Sequence, residues 1–466
     1  MMRSMYSGIS GLRVHQNKMD VIGNNIANVN TVGYKRGAMT FQEVFSQVIR
    51  GASAPQEGRG GTNPQQIGLG VSIGSINTIH SKGPAQRTDN PEDLMIDGEG
   101  FFVVSDDTNF ENRYYTRAGN FTLDRDGNLV TADGYKVLGY LADEDGNITS
   151  EIGGIRINRS ETKAPTATTK IIFEGNLDSR IEAGDQNAHK ADTVIKDSLG
   201  NSYIITFKFV KNEIKTGDDD KAFSWTMSVD RITDQATGNY VEATDLKDVL
   251  ENNNELKLIF NAEGKLVSIG GSPVEGEDAE TFRFELTNLN AIKFNRNRDE
   301  KEIDKVAPSG NFSDIILFSS DDKDSYRLLT QYANDMDAKP YAKDGNSSGK
   351  LEGYSIDDTG TVVGIFTNGE RKALGQIMLA KFDNPMGLQK MGNNFFVDTR
   401  NSGEPQFGRA ASSGYGPIAA GTLEMSNVDL SMEFTEMITT QRGFQANSRI
   451  ITTSDEMLQE LVNMKR

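Results

Sequence analysis

Cysteine is absent from the 466 residues, which excludes disulfides, thiolate metal sites and cysteine nucleophiles. Long apolar runs are missing too. Hydrophobic residues make up 36% of the chain and mean hydropathy is −0.51, and no run approaches the roughly 18 apolar residues of a membrane-spanning helix. No membrane insertion is expected. The N-terminus lacks a basic region leading into an apolar core and a small-residue cleavage site, so a cleaved secretory signal is not expected either. Histidine is scarce, and His15, His80 and His189 fall in no metal-ligand spacing. Positive charge is in deficit: a net charge of −18 and a pI near 4.8 argue against a nucleic-acid partner. About eleven of those charges lie between Gly146 and Asn346, which reads as a solvated acidic face.

What is present is clearest at the two ends. From Ser426 to Arg466 there is no proline and one glycine, Gly443. Ser426-x-x-Asp429 resembles a capping box, Asp429 and Glu433 put acid in the first turns, and Lys465 and Arg466 put base at the end. Apolar residues recur at Leu430, Phe434, Met437, Phe444, Ile451, Leu458 and Val462, a 4,3 alternation interrupted by Gln441, Ser448 and Asp455. That is a coiled-coil stripe. A helix of about 35 residues is roughly 50 Å long, more than an ordinary core covers, so it needs partners in this chain or in other copies of it.

A first partner lies at the other end. Between Arg3 and about Asn28, Met5, Ile9, Leu12, Met19, Ile22 and Ile26 fall at spacings of three and four, while Gly8, Gly11 and Gly23 lower helix propensity. Periodicity alone leaves two readings open: a terminal helix hairpin closing a rod-shaped molecule, or a core helix pair in one globular domain. Gln441, Asn447 and Ser448, in or beside the stripe, either fix register through hydrogen bonds or face a solvated channel. Asn24, Asn25, Asn28 and Asn30 pose the same choice, with helix termination as a third possibility.

Two motifs carry a resemblance. Met5-Tyr-Ser-Gly-Ile-Ser-Gly-Leu12 with Met19-Asp-Val-Ile-Gly-Asn-Asn-Ile-Ala-Asn-Val-Asn-Thr-Val-Gly-Tyr-Lys35 resembles the N-terminal motif of the bacterial flagellar rod and hook axial family. Gly421-Thr-Leu-Glu-Met-Ser-Asn-Val-Asp-Leu430 and Thr439-Thr-Gln-Arg-Gly-Phe-Gln-Ala-Asn-Ser-Arg-Ile-Ile-Thr-Thr-Ser-Asp455 resemble its C-terminal motif, with the hook members most alike. The resemblance implies an exported, self-assembling structural subunit in the extracellular flagellum. It implies a homopolymer whose terminal helices form the inner tube, and as partners the distal rod protein, the hook cap, the hook–filament junction protein and the flagellar type III export apparatus. It implies no cofactor. The expected polymerisation contacts are Ile9, Leu12, Met19, Ile22 and Ile26 with Phe434, Met437, Gln441, Phe444, Ile451 and Leu458. Phe41-x-x-x-Phe45 matches, by the same resemblance, the short pattern presented to the export gate; packing of both rings on a neighbour is the alternative.

The expected fold class is therefore α+β and multidomain. Terminal helices at 1–30 and 424–466 form a coiled-coil-like inner domain. Residues 31–70 form an extended connector rich in glycine and proline, with a short helix over Phe41–Ile49. The resemblance of 88–140 and of 351–388 to the family's shared β domain implies one split β-rich domain at 71–145 and 348–423, and the strand-rich 146–347 between them reads as an inserted all-β outer domain, large enough for two lobes. The strands rest on aromatic and β-branched alternation at Gly98–Ser105, Tyr114–Leu123, Tyr135–Tyr140, Tyr203–Val210, Phe223–Val229, Leu256–Phe260, Phe282–Leu286 and Ile315–Phe318. The longer connector resembles the distal rod protein, which stands as the alternative; the large middle segment argues against it.

Catalytic chemistry finds little footing. Asp124-Arg-Asp-Gly-Asn128, Asp143-Glu-Asp-Gly-Asn147 and Asp357-Asp-Thr-Gly360 look superficially like calcium loops but lack the terminal glutamate of an EF-hand and sit between strands, as tight turns do. No phosphate loop is present, and abundant carboxylates in an acidic chain say little for a glycosidase. An extracellular carbohydrate-active enzyme is the alternative of a different class, and an enzyme is not expected.

Overall fold

The three-and-four spacing at the chain start forms a helix, α1 (Met2–Ala27), and the C-terminal stripe forms a second, α2 (Leu430–Met464). The computed structural model describes residues 2–464 except 56–57, 59, 213–222, 247, 251–253, 275–281, 296–304, 323 and 413. The acidic stretch Thr216–Lys221, whose composition reads as a solvated hairpin tip, and the terminal Lys465 and Arg466 lie outside the described residues. The start of α2 differs from the capping-box expectation. Asp429 is itself the cap: its Oδ1 accepts from the backbone N–H of Ser431 at 2.8 Å and of Met432 at 3.2 Å.

After α1 the chain forms a two-stranded ribbon. Strands β1 (Gly37–Glu43) and β2 (Ser46–Arg50) run out, and β3 (Gln65–Gly68) and β4 (Val71–Thr78) return antiparallel to them. Val44 N–H to the Gly70 carbonyl and Leu69 N–H to the Phe45 carbonyl carry the pairing across the break. The expected helix over Phe41–Ile49 is therefore strand, and the connector is a ribbon whose glycine- and proline-rich part makes the return. A short apolar run fits either element by spacing, and the β-branched segment at 71–78 decides the matter by offering a partner edge.

The chain divides into two compact units. The first holds residues 1–159, 352–365 and 371–466, and the second holds 160–351 with 366–370. In the first unit, strand Arg371–Lys381 pairs with both Lys136–Ala142 and Phe101–Ser105, with Gly139 opposite Ile377 and Leu379 opposite Phe102. Strands from far apart in the chain thus share one sheet, cored by Phe101, Val103, Tyr115, Leu138, Met378, Phe382 and Phe396. Strand Ile148–Gly154 also belongs here, paired with Lys136–Ala142, so the boundary falls at Arg159 and not at 146. The register carries the sheet past the turn at Asp143–Asn147, next to which the boundary was expected.

The second unit is built on long antiparallel strands, His189–Lys196, Ser202–Lys211 and Phe223–Asp234, with strict in–out alternation along Ser202–Lys211. One continuous cluster runs from Ile171 to Ala338 through Phe173, Phe207, Phe209 and Trp225, so the expected two lobes share one core. The suspected calcium loops are turns: Asp124, Asp143 and Asp357 each accept two backbone N–H groups through Oδ1 across a glycine at positive φ. Among the described residues no group of three or more His, Asp or Glu is placed to hold a metal ion.

Trp225 is the chain's one tryptophan and is fully buried in the second unit, so its fluorescence reports that unit's unfolding. Phe207, edge-on to Phe173 at 5.1 Å, is equally buried. Phe207→Ala should cost about 3–5 kcal/mol, read as a lower urea midpoint of Trp225 emission. An unchanged midpoint would contradict this core.

Candidate assembly surface at the chain ends

The two terminal helices run antiparallel and pack along one another, with Gly8 against Ile451 at one end and Lys18 paired to Glu436 nearer the other. Helix α1 also lies on the ribbon. The face of α2 that is covered differs from the expected stripe by one residue in every second position. Met437, Phe444, Ile451 and Leu458 are half-buried, as one arm of the alternation required. The other arm is exposed except at Ser448, which is half-buried: Phe434 retains 49% of its surface and Gln441 and Asp455 also face out. Glu433, Thr440 and Ser454 are buried in its place, with Asn447 half-buried at the same heptad spacing. On α1, Ile22 is buried, and Ile9, Leu12, Met19 and Ile26 are half-buried. Buried Val14, Asn25, Gly8 and Gly11 complete the covered surface.

The residues that make this geometry possible come from the two terminal motifs. Asn25 Oδ1 accepts the Gly37 N–H at 2.9 Å and its Nδ2 donates to the Gly37 carbonyl at 2.9 Å, fastening the ribbon to the helix. The same Nδ2 reaches Glu433 Oε2 at 3.2 Å, and Arg36 Nη1 lies 3.4 Å from Glu433 Oε1. Tyr34 donates to Asn25 Oδ1 at 3.2 Å; burial first, and then the Glu433 charge, raise its pKa. Asn24 and Asn28 serve helix termination: Asn28 Nδ2 donates to the Asn24 carbonyl at 2.9 Å. Asn30 is exposed.

Below the helices sits a buried charge cluster. Glu424 accepts from Lys35 Nζ at 2.6 Å, from the Gly83 N–H at 2.8 Å and from Arg117 Nη1 at 3.4 Å, and its side chain and that of Lys35 are fully buried. Burial lowers the pKa of both Lys35 and Arg117, and Glu424 opposes that shift. The Gly33 N–H donates to the Glu424 carbonyl at 2.7 Å, with Gly33 at φ +68°. A Cβ there would stand 2.5 Å from the Ala118 nitrogen, so the position admits only glycine. Asn427 accepts the Arg36 N–H and donates to the Ile79 carbonyl, both at 2.8 Å. Sequence reasoning did not single out Lys35, Arg117, Glu424, Asn427 or Glu433 as contacts. The one available signal was a charged residue inside each motif.

Beyond the covered seam α2 is apolar and bare. Leu430, Met432, Phe434, Ile438, Ile450, Met457, Leu461, Val462 and Met464 are all exposed, Val462 to 67%. Phe45 is 62% exposed where β1 gives way to β2, whereas Phe41 packs edge-on to His15 at 5.6 Å with Lys18 Nζ 5.7 Å from its ring. No described helix is long and apolar enough to cross a membrane.

His80 offers a probe of this region. Its ring lies 5.5 Å from Phe101 and 5.4 Å from Phe396, and burial followed by the charges of Lys35, Arg117 and Lys390 lowers its pKa to about 4. The folded state then stays neutral in the window where the unfolded chain takes up a proton. The associated stability is complete above about pH 6.5 and is lost as pH falls towards 4, by roughly 2–3 kcal/mol. His80→Phe should flatten that part of the curve of stability against pH, measured by denaturant unfolding; an equal slope in both proteins would refute the assignment.

Comparison with known proteins agrees with this geometry. The flagellar basal body rod protein family matches residues 5–35 and the flagellar basal body rod FlgEFG protein C-terminal family matches 419–464. The flagellar hook protein FlgE/F/G D1 domain matches 95–172, and the flagellar basal body protein FlaE D2 domain matches 176–346. The flagellar hook protein FlgE of Borreliella burgdorferi is 39% identical over the whole of both chains, and the flagellar basal-body rod protein FlgG of Bacillus subtilis is 31% identical, also over the whole of both. A crystal structure of Helicobacter pylori flagellar hook protein FlgE2 covers 73% of this chain and all of its own, with a TM-score of 0.50 at 14% identity, and speaks for the fold alone. With these motifs, this covered seam and full-length similarity together, the chain belongs to the flagellar hook protein FlgE family, a family of structural subunits.

Proposed function

We propose that this chain polymerises through its terminal helices into the curved tube of the flagellar hook, which bends as a universal joint while transmitting torque from rod to filament. The observation that carries the reading is the apolar stripe of α2 that α1 leaves uncovered. Nine large apolar side chains left exposed along one helix, grouped at Leu430–Ile438 and at Ile450–Met464, mark protein contact surface. A contact between different patches of identical copies yields a helical filament when its rotation does not close a ring. In the proposed tube α1 and α2 form a coiled-coil inner domain, the unit at 160–351 is an inserted outer domain, and Phe434 and Gln441 contact other copies. Half-buried Met437, Phe444, Ile451 and Leu458 share their surface between α1 and neighbours, and Ile9, Leu12, Met19 and Ile26 share theirs between α2 and neighbours, while Ile22, expected as a contact, is buried within the subunit.

By the same reading the subunit is exported without a cleaved signal through the flagellar type III apparatus, with Phe45 and Phe41 as weak candidates for gate recognition. It adds under a hook cap and meets the distal rod and the hook–filament junction at the tube's two ends. The full-length similarity to a rod protein supports a second reading, a distal rod subunit. Electron microscopy of the concentrated protein separates them: curved tubes support the hook and straight ones the rod, while an absence of any polymer opposes both.

Phe434→Asp and Ile438→Asp test the surface itself. Both residues are about half exposed, so the monomer's melting curve should move by less than about 0.5 kcal/mol. Tubes should fail to form, because a carboxylate buried between copies without a partner costs several kcal/mol. Normal tubes from either variant would show that the stripe faces solvent in the polymer.

A further inference from the structure

The helix pair is closed by two reciprocal fits. Asn447 of α2 lies on Gly11 of α1, where a Cβ would stand 2.7 Å from its Nδ2 and 2.8 Å from its Cγ. One turn along, the roles reverse: His15 of α1 lies on Gly443 of α2, where a Cβ would stand 2.7 Å from Cε1 and 2.8 Å from Nε2. Asn447 is held in place by its own helix, its Nδ2 donating to the Gly443 carbonyl at 3.0 Å. His15 is held by Phe41, and its Nδ1 is buried without a hydrogen-bond partner. Neither glycine is at positive φ, so clearance and not backbone conformation is what each provides. Gly23, on the same helix as Gly11, marks the contrast: a Cβ added there would meet nothing within 4 Å.

The polar contacts that discriminate register, Asn25 and Arg36 to Glu433 and Lys18 to Glu436, lie towards the end of α1, and the apolar residues of the seam discriminate it poorly. Met437, Phe444, Ile451 and Leu458 repeat every seven residues, and so do Glu433, Thr440, Asn447 and Ser454. A slip of one heptad would therefore bury much the same apolar surface. It would also bring Thr440 or Ser454 onto Gly11, small polar residues that leave the notch underfilled, and Glu436 or Ile450 onto His15, where there is room only for glycine. We infer that the Gly11–Asn447 and His15–Gly443 pair is a register lock that fixes the axial position of α2 on α1. It thereby sets the height at which each copy presents its bare α2 stripe to the next, a consequence that rests on the assembly reading.

The test uses the full chain, whose lack of cysteine leaves any introduced pair unique. Lys18→Cys with Glu436→Cys replaces an ion pair of 3.1 Å that exists only in the observed register, and a short bis-maleimide reads it as an intrachain cross-link. Adding Gly11→Ala should cut cross-link yield several-fold, although alanine is the better helix former, and further adding Asn447→Ala should restore it. Gly443→Ala and His15→Ala should behave in the same way, and Gly23→Ala should change nothing. An unchanged yield with Gly11→Ala, or a loss that Asn447→Ala does not restore, overturns the lock. If yields follow the expected pattern while even the parent forms no tubes, the lock stands and the assembly reading fails.

Discussion

Everything at the chain ends hangs on a carboxylate that has no access to water. Glu424 is buried against Lys35, with Arg117 and the Gly83 N–H completing its shell, so four distant parts of the chain meet at one charge. Such a cluster adds little net stability, because desolvation consumes most of the Coulombic gain, but losing one partner costs about 3–5 kcal/mol and strands the others. Its value is geometric. It clamps the exit of α1 to the strand leading into α2, so both helices leave the β body from one fixed point. One step further out, Asn25 fastens the ribbon and meets Glu433, and the pairing of the helices follows from there.

That arrangement explains why one side of the seam within the chain is polar and close-packed, with Glu433, Thr440, Asn447 and Ser454 lying beside the half-buried Met437, Phe444, Ile451 and Leu458. With both helices anchored at one end, α1 need only lie near α2 in a defined register, which glycine notches and small polar residues achieve at short range. The other apolar residues of α2 are then free to point elsewhere. α2 has 35 residues and α1 has 26, so the last turns of α2 outrun their partner, and Leu461, Val462 and Met464 stay exposed.

The sequence exposes the periods of these elements well and their facing poorly. Alternation locates the strands that pack the two cores, and aspartate-glycine turns are recognisable because positive φ and side-chain acceptance have few other solutions. One arm of the α2 stripe is legible because Met437, Phe444, Ile451 and Leu458 are apolar. The other arm is displaced by one residue because a hydropathy reading looks for apolar partners, and the buried positions hold Glu433, Thr440 and Ser454. Gly8 and Gly11 read as weak points in a helix, although Gly11 is the clearance for Asn447. The ribbon at 37–78 is hidden because its strands draw their conformation from each other across a long return, information that no local window contains.

The apolar surface that α2 does not spend on its seam with α1 also bears on how the proposed assembly can proceed. Nine large apolar side chains stand 40–73% exposed on α2, and covering the remaining surface of each is worth on the order of 1 kcal/mol, so a fully engaged copy gains roughly 10 kcal/mol. Immobilising a copy costs an estimated 4–15 kcal/mol. A single pairwise contact covers only part of the stripe and falls short of that cost, whereas a site bordered by several neighbours covers it all. Pairs in free solution should therefore be weak and addition to a growing end strong. A subunit that covered all of its apolar surface within the chain would have none left to distinguish a growing end of the proposed polymer from solution.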